Sequence, residues 1–261
     1  MRTRLKILIA VVVVILLVVF FVTTKGIAPP TPNPPGTFSF GALGDAPYYL
    51  WEDMQYALVL DELDAHDLSF VVQVGDAFWR PCIDRLYLRS LEWFNALRHP
   101  VIYTPGDNEW TDCWEPGSGG YSPLDRLKRL REIYFVEPTR SLGGRRIPLE
   151  TQAGDPRFAE FPENSRWSHD GIVFATVHLV GSSNARDPYP DRTEADLAES
   201  RRRTEAAAEW VRGTFAEARA VEATAVVIAF HANPSFEEAV DSVDRRPFEP
   251  FLITLEEEVE T

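Results

Sequence analysis

Leu68-Ser69-Phe70-Val71-Val72-Gln73-Val74-Gly75-Asp76 is an apolar, β-branched run that stops on a glycine and an acid. Its composition predicts a strand over Leu68–Val74. The glycine predicts a sharp turn that leaves the next side chain open. The same grammar recurs on both sides. Thr37–Leu43 leads into Gly44-Asp45, and Pro100–Thr104 leads into Pro105-Gly106-Asp107. Between the three runs lie stretches with helical spacing: Trp51–Ala65 through Ala57, Leu60 and Leu63, and Ile83–Leu97 through Leu86, Leu88, Leu91, Phe94 and Leu97. Strand–helix alternation of this kind predicts one α/β domain with largely parallel pairing at its start. Farther on the spacing predicts a helix over Leu124–Phe135, two sheet strands over Phe158–Ser168 and Gly171–Val180, a long helix over Thr193–Ala220, a buried strand over Thr224–Phe230 and a last helix over Phe248–Val259.

Outside that domain the chain changes character. Of its 261 residues, the first 25 carry Arg2, Arg4, Lys6 and Lys25, no acid, and the uninterrupted apolar run Ile7–Val22. A run of that length, basic at its start, reads as an N-terminal membrane anchor over residues 1–25, with the N-terminus in the cytoplasm and the domain outside it. A cleaved signal peptide and secretion are the alternative. Residues 26–36 hold five prolines and read as a semi-rigid polyproline spacer, which leaves 37–261 as the folded domain. Past residue 25 there are 22 bases against 40 acids, a charge of −18, which argues against bulk nucleic-acid binding. Two cysteines are too few for a disulfide framework or a four-cysteine zinc site.

The chemistry is expected at the strand ends. In a parallel α/β sheet the carboxyl ends of the strands share one edge, and that edge binds ligands. Asp45, Asp76 and Asp107 would then converge there. Carboxylates brought together repel one another unless a cation lies between them, and oxygen-rich sites suit hard or borderline divalent metals. The strand Thr224–Phe230 ends in His231-Ala232-Asn233-Pro234 and adds an imidazole, a ligand suited to manganese, iron or zinc.

Gly44-Asp45-Ala46-Pro47, Gly75-Asp76, Gly106-Asp107-Asn108-Glu109 and His231-Ala232-Asn233-Pro234 together resemble the blocks of the calcineurin-like metallophosphoesterases, over Thr37 to the C-terminus. The resemblance implies a four-layer α/β/β/α sandwich, preceded here by one transmembrane helix. It implies two divalent metal ions (Mn, Fe or Zn), with Asp45 on the first, Asp76 bridging both, and Asp107 and His231 on the second. It further implies hydrolysis of a phosphomonoester or phosphodiester by a metal-bound hydroxide. Pro47 stands where the family usually has a histidine, Asp107 replaces the usual asparagine, and Asn108 replaces the histidine that serves the leaving group. A shift of one residue in that block makes Asn108 the ligand and Glu109 its neighbour. The family's final GHxH block has no counterpart before Thr261, which reads as truncation, as divergence of the ending, or as substitution by Asn233 or His178. A catalytically weakened or inactive ligand-binding protein on the same fold is the competing reading.

Other residues are candidates for the same edge. His178 falls after an apolar strand and before Gly181-Ser182-Ser183-Asn184, and is expected to act with Asn108 and Glu109 in catalysis. Asn108, Arg166 and Asn184 are expected to contact the phosphoester substrate, Arg166 as a bidentate donor. Trp79, Trp110 and Trp114 crowd the loops after the second and third Gly-Asp and read as packing over the strand ends. Cys82 and Cys113 each follow a Gly-Asp aspartate by six residues, an equal offset that favours a disulfide over two free thiols.

Overall fold

The computed structural model describes residues 32–49 and 51–261. Strands β1 (Ser39–Leu43), β2 (Leu68–Gln73) and β3 (Val101–Tyr103) form a parallel sheet in that order, with α1 (Glu52–Ala65) and α2 (Asp84–Ala96) as the crossovers. Helix α3 (Pro123–Tyr134) follows β3, started by Ser122, whose hydroxyl accepts from the Asp125 amide, and by Pro123 in the first turn. A second, mixed sheet has the order β4 (Glu150–Thr151), β5 (Ser165–His169), β6 (Ile172–Thr176), β7 (Ala225–Ala229). Its first three strands are antiparallel, whereas β6 and β7 are parallel and joined through α4 (Glu194–Ala220). Helix α5 (Glu249–Val259) packs on α4. The chain is thus mixed α/β, with one parallel and one mixed sheet.

Alternation along β2 shows how the layers are assigned. Phe70 and Val72 point to one face and meet Trp167 and Phe174 of the second sheet. Val71, between them, points to the other face, where Leu60 of α1, Phe94 of α2 and Leu130 of α3 cover it. On the far side of the second sheet, Val211 of α4 and Phe251 of α5 pack with Ile228 of β7.

Several sequence expectations shift. The strand expected from Phe158 begins only at Ser165. Pro162 lacks the amide a ladder needs, and Phe158–Asn164 instead takes successive turns that bury Phe158 and Phe161 against Ala206. Asn33, inside the expected spacer, hydrogen-bonds the Asp67 carbonyl (2.8 Å) and Ser39 (2.6 Å). The expectation of a single-pass membrane protein is corrected: among the described residues no helix is long and apolar enough to cross a membrane. The longest, α4, spans 27 residues but is charged along its length. Residues 1–25, on which that expectation rested, lie outside the described residues.

Candidate metal centre

Register brings the three Gly-Asp segments together. Leu43 pairs with Gln73, and Gln73 with Tyr103, so the turns that follow start level. Asp45 and Asp76 both sit at positive φ (57° and 54°), a conformation that turns each carboxylate back over the strand ends. The glycines permit the crowding. A Cβ on Gly75 would lie 2.1 Å from the Gly106 nitrogen, and one on Gly106 would lie 2.1 Å from Asp76 Oδ1.

The second sheet contributes His231, two residues beyond β7. Its Nδ1 lies 2.8 Å from the Val74 carbonyl and donates to it, which turns Nε2 toward the carboxylates. Nε2 is 2.7 Å from Asp107 Oδ1 and 3.7 Å from Asp76 Oδ1. Asp45, Asp76 and His231 each offer a ligand atom, all within 4.8 Å of one another, and so form a group able to hold a metal ion. Asp107 is not part of that trio; it joins through His231. Its other oxygen takes a hydrogen bond from Ser182 (3.2 Å), whose hydroxyl also lies 2.7 Å from Asp112 Oδ1.

The electrostatics fit an ion. Burial, then the charges of Glu109 and Asp107, push Asp76 up to about 8. Burial also opposes the charge on Asp107, but the hydrogen bond and charge of His231 outweigh it and hold that carboxyl below its usual range. Burial disfavours the imidazolium of His231; Asp107, Asp76 and Glu109 outweigh this and push it up to about 10. Among the described residues, no lysine or arginine pairs with Asp45, Asp76 or Asp107, and His231 is the one basic side chain against them. This is the setting a divalent cation relieves.

Other expected site residues have different places. Asn108 is in the cluster: its amide nitrogen and side chain donate to Asp76 Oδ1 (3.1 Å) and Oδ2 (2.7 Å). Glu109, expected to be catalytic, is fully buried, and its carboxylate accepts from the amides of Asp76, Ala77 and Gly106 at 3.0, 2.7 and 3.0 Å. It clamps the two loops and does not face the cleft. His178 is also fully buried, hydrogen-bonded through Nδ1 to Glu163 (2.7 Å) and through its amide to Asn164. Its strand ends at Thr176, and the chain then turns inward. Asn184 is buried against Arg203 and Thr204, out of reach of substrate. Arg166 pairs with Glu150 at 2.6 Å and lies over the Trp210 ring. It lines a cavity of about 750 Å³ with Leu68, Phe70 and His169, at the opposite ends of the strands from the carboxylates.

Two features escaped sequence reasoning. Tyr48 places its hydroxyl 2.8 Å from Asp76 Oδ2 and 3.1 Å from Asp45 Oδ1. The chain Ser182–Ala185 runs through four consecutive residues at positive φ, none of them glycine. This left-handed turn seats Gly181 against the Asp107 carboxylate, where a Cβ would approach to 2.7 Å. Below the cluster, Cys82 and Cys113 form a disulfide with a Cα–Cα distance of 5.7 Å, joining the loop after β2 to the loop after β3. No family model, curated protein or solved structure matches this chain.

Proposed function

We propose that this chain is a metal-dependent phosphoesterase of the calcineurin-like kind. The observation that carries the reading is the convergence of three strand-end aspartates of one sheet with a strand-end histidine of another. The three apolar clusters, one between the sheets and one on each outer face, support the finer assignment of a four-layer α/β/β/α sandwich.

Asp45, Asp76 and His231 would hold one divalent cation, and Asp107 with His231 the approach to a second. Manganese, iron and zinc all suit this mixture of carboxylate and imidazole. Bound there, such ions supply Lewis-acid stabilisation of phosphoryl oxygens and a nucleophilic water at neutral pH. The protein's own groups do the positioning. Val74 fixes the His231 ring through Nδ1, Asn108 aims both Asp76 oxygens, and Glu109 fixes the backbone on which Asp76 and Gly106 sit. The test is release of para-nitrophenol from its phosphate mono- and diester. Cation-dependent release that a chelator stops and Asp76→Ala removes supports the proposal.

One observation favours a second reading, a binding protein that does not turn over. Asn108 stands where a leaving-group acid is expected, and an amide transfers no proton at neutral pH. Protein that binds cations and releases no nitrophenol from either ester selects this reading.

A further inference from the structure

A cleft opens beside the metal centre. Ser182, whose hydroxyl lies 3.2 Å from Asp107 Oδ2 and 2.7 Å from Asp112 Oδ1, stands with Asp112 at its inner end. From there the cleft runs outward between the loop after β3 and the segment that leads into α4. A narrow inner part and an open outer part of about 500 Å³ share Trp114, Pro123, Leu124, Tyr189 and Asp196 as walls, and so run into each other. The left-handed turn ties the cleft to the centre. The Asp187 amide donates to the Ser182 carbonyl (3.1 Å), and Tyr189 follows two residues on.

The walls are of two kinds. Trp114 and Tyr189 are half-buried and stack nearly parallel, with ring centroids 5.4 Å apart and planes 14° apart. Asp196, in the first turn of α4, accepts from the Tyr189 hydroxyl and from Thr193, and so holds that ring. Tyr121 adds a third ring at the outer end. The charged walls are all acids, Asp112 and Asp187 within and Asp191 and Asp196 farther out; no lysine, arginine or histidine lines either part. Two neighbouring bases face other groups: Arg126, 4.9 Å from the Tyr121 ring, pairs with Asp84, and Arg192 donates to the Arg186 carbonyl. Aromatic faces attract an organic cation through the ring quadrupole, and carboxylates attract it through charge; both repel an anion. An ester whose phosphoryl group sits at the metal trio has only its alcohol portion left to reach this cleft.

We propose that the cleft binds the alcohol portion of the substrate, and that this alcohol carries an organic ammonium group. The proposal rests on the phosphoesterase reading for its reaction, but not for its binding. In that reaction the oxygen of water forms a new P–O bond, the P–O bond to the amino alcohol breaks, and a proton from the water passes to the departing oxygen. Nothing is oxidised or reduced.

Choline and its uncharged carbon isostere, 3,3-dimethylbutanol, are each titrated into the full-length protein by calorimetry with no ester present. Choline is expected to bind at least about ten-fold more tightly than the isostere. Trp114→Leu, and the double variant Asp187→Asn with Asp191→Asn, are each expected to weaken choline by about three- to ten-fold. Thermal melting establishes that each variant folds. Asp187 and Asp191 are exposed, so the double variant decides alone if Trp114→Leu does not fold. With phosphocholine and 3,3-dimethylbutyl phosphate as substrates, kcat/KM is expected to favour the cationic ester at least about ten-fold, and the ratio to fall toward one in the variants. Choline release from phosphatidylcholine vesicles as well as from phosphocholine marks a lipid headgroup as the source, and release from phosphocholine alone marks a soluble ester; both support the proposal. Choline bound no more tightly than its isostere, or a preference for choline that survives in the folded variants, overturns it. Hydrolysis without preference for the cationic ester overturns the cleft and leaves the phosphoesterase reading standing. Choline binding that the variants weaken, with no ester hydrolysed, does the reverse.

Discussion

Glu109 shows how a buried acid can serve a site that it does not enter. Three backbone amides from two loops converge on its carboxylate. Glu109→Gln keeps the shape but replaces one acceptor oxygen with a donor facing an amide. Hydrogen bonds to charged groups contribute roughly 1.5–3 kcal/mol each, and a buried amide left unpaired costs a similar amount. Glu109→Gln is therefore expected to lose about 3 kcal/mol or more of stability, read from the urea midpoint. His178 and Glu163 make a second buried arrangement. Burial disfavours the charge on Glu163, but Arg131 and then His178 outweigh it and hold that carboxyl well below its usual range. Burial likewise disfavours an imidazolium at His178 and, against the pull of Glu163, lowers it to about 4. A group whose pKa falls on folding lends stability that is complete above its unfolded value, here about 6.5, and lost as pH drops through the folded one. Unfolding free energy is expected to decline by up to about 3 kcal/mol between pH 6.5 and 4 through His178. Glu163 adds to the loss in the same direction at lower pH. In His178→Gln the decline between pH 6.5 and 4 should flatten; an unchanged profile would refute the buried neutral imidazole.

Among the elements, the turn Gly181–Ala185 is the one under strain. Ser182, Ser183 and Asn184 hold φ of 49°, 53° and 55°, and left-handed geometry costs a non-glycine residue about 1–2 kcal/mol. Arg203 holds the turn in place: it is fully buried, donates to the Asn184 side chain and carbonyl, and pairs with Glu199. Ser183→Gly should relieve strain and raise the melting temperature by about 2–4 °C, equivalent to about 1 kcal/mol. Gly181→Ala should act on the cation instead, since its methyl group would displace Asp107. A loss of roughly 10–100-fold in metal affinity with little change in melting temperature is the expected pattern. Sequence patterning located the regular elements because alternation and helical spacing are local: α1 was expected from Trp51 and starts at Glu52, and β7 was expected over Thr224–Phe230 and spans Ala225–Ala229. It did not locate this turn. Ser-Ser-Asn-Ala carries no local signal for left-handed backbone, and the guanidinium that holds it sits about twenty residues away. Asp45, Asp76, Asp107 and His231 were legible because each stands within four residues of the end of an apolar strand. Tyr48 was not, since its contact with Asp45 and Asp76 depends on where the Ala46–Tyr48 loop folds back. His178 misled because it stands at the same offset from its strand as His231, and the groups that bury it, Glu163 and Asn164, lie about fifteen residues back in the chain.

At the scale of the whole molecule, the disulfide and the cluster bind the same parts together. Cys82–Cys113 closes a loop spanning 31 positions between the loops that carry Asp76 and Asp107. In the chain-entropy account such a link contributes about 3–4 kcal/mol. Reduction, or Cys82→Ala with Cys113→Ala, should lower stability by that order, as measured by denaturation with and without reductant. The −18 charge of residues 26–261 is unevenly compensated: surface acids pair widely with arginines, whereas the strand-end carboxylates rely on one imidazole.

That imidazole lies on the second sheet and the carboxylates on the first, so a cation between them works as a rivet through two plates. It binds only where the sheets are docked, and each filled rivet hole counts against unfolding by RT ln(1 + [L]/Kd), about 2.7 kcal/mol at a hundred times Kd. Melting temperature thus becomes a gauge of which ion belongs there. Manganese, zinc and iron can be ranked by the heat the protein withstands, before any substrate is known, and Asp76→Ala should erase the ranking.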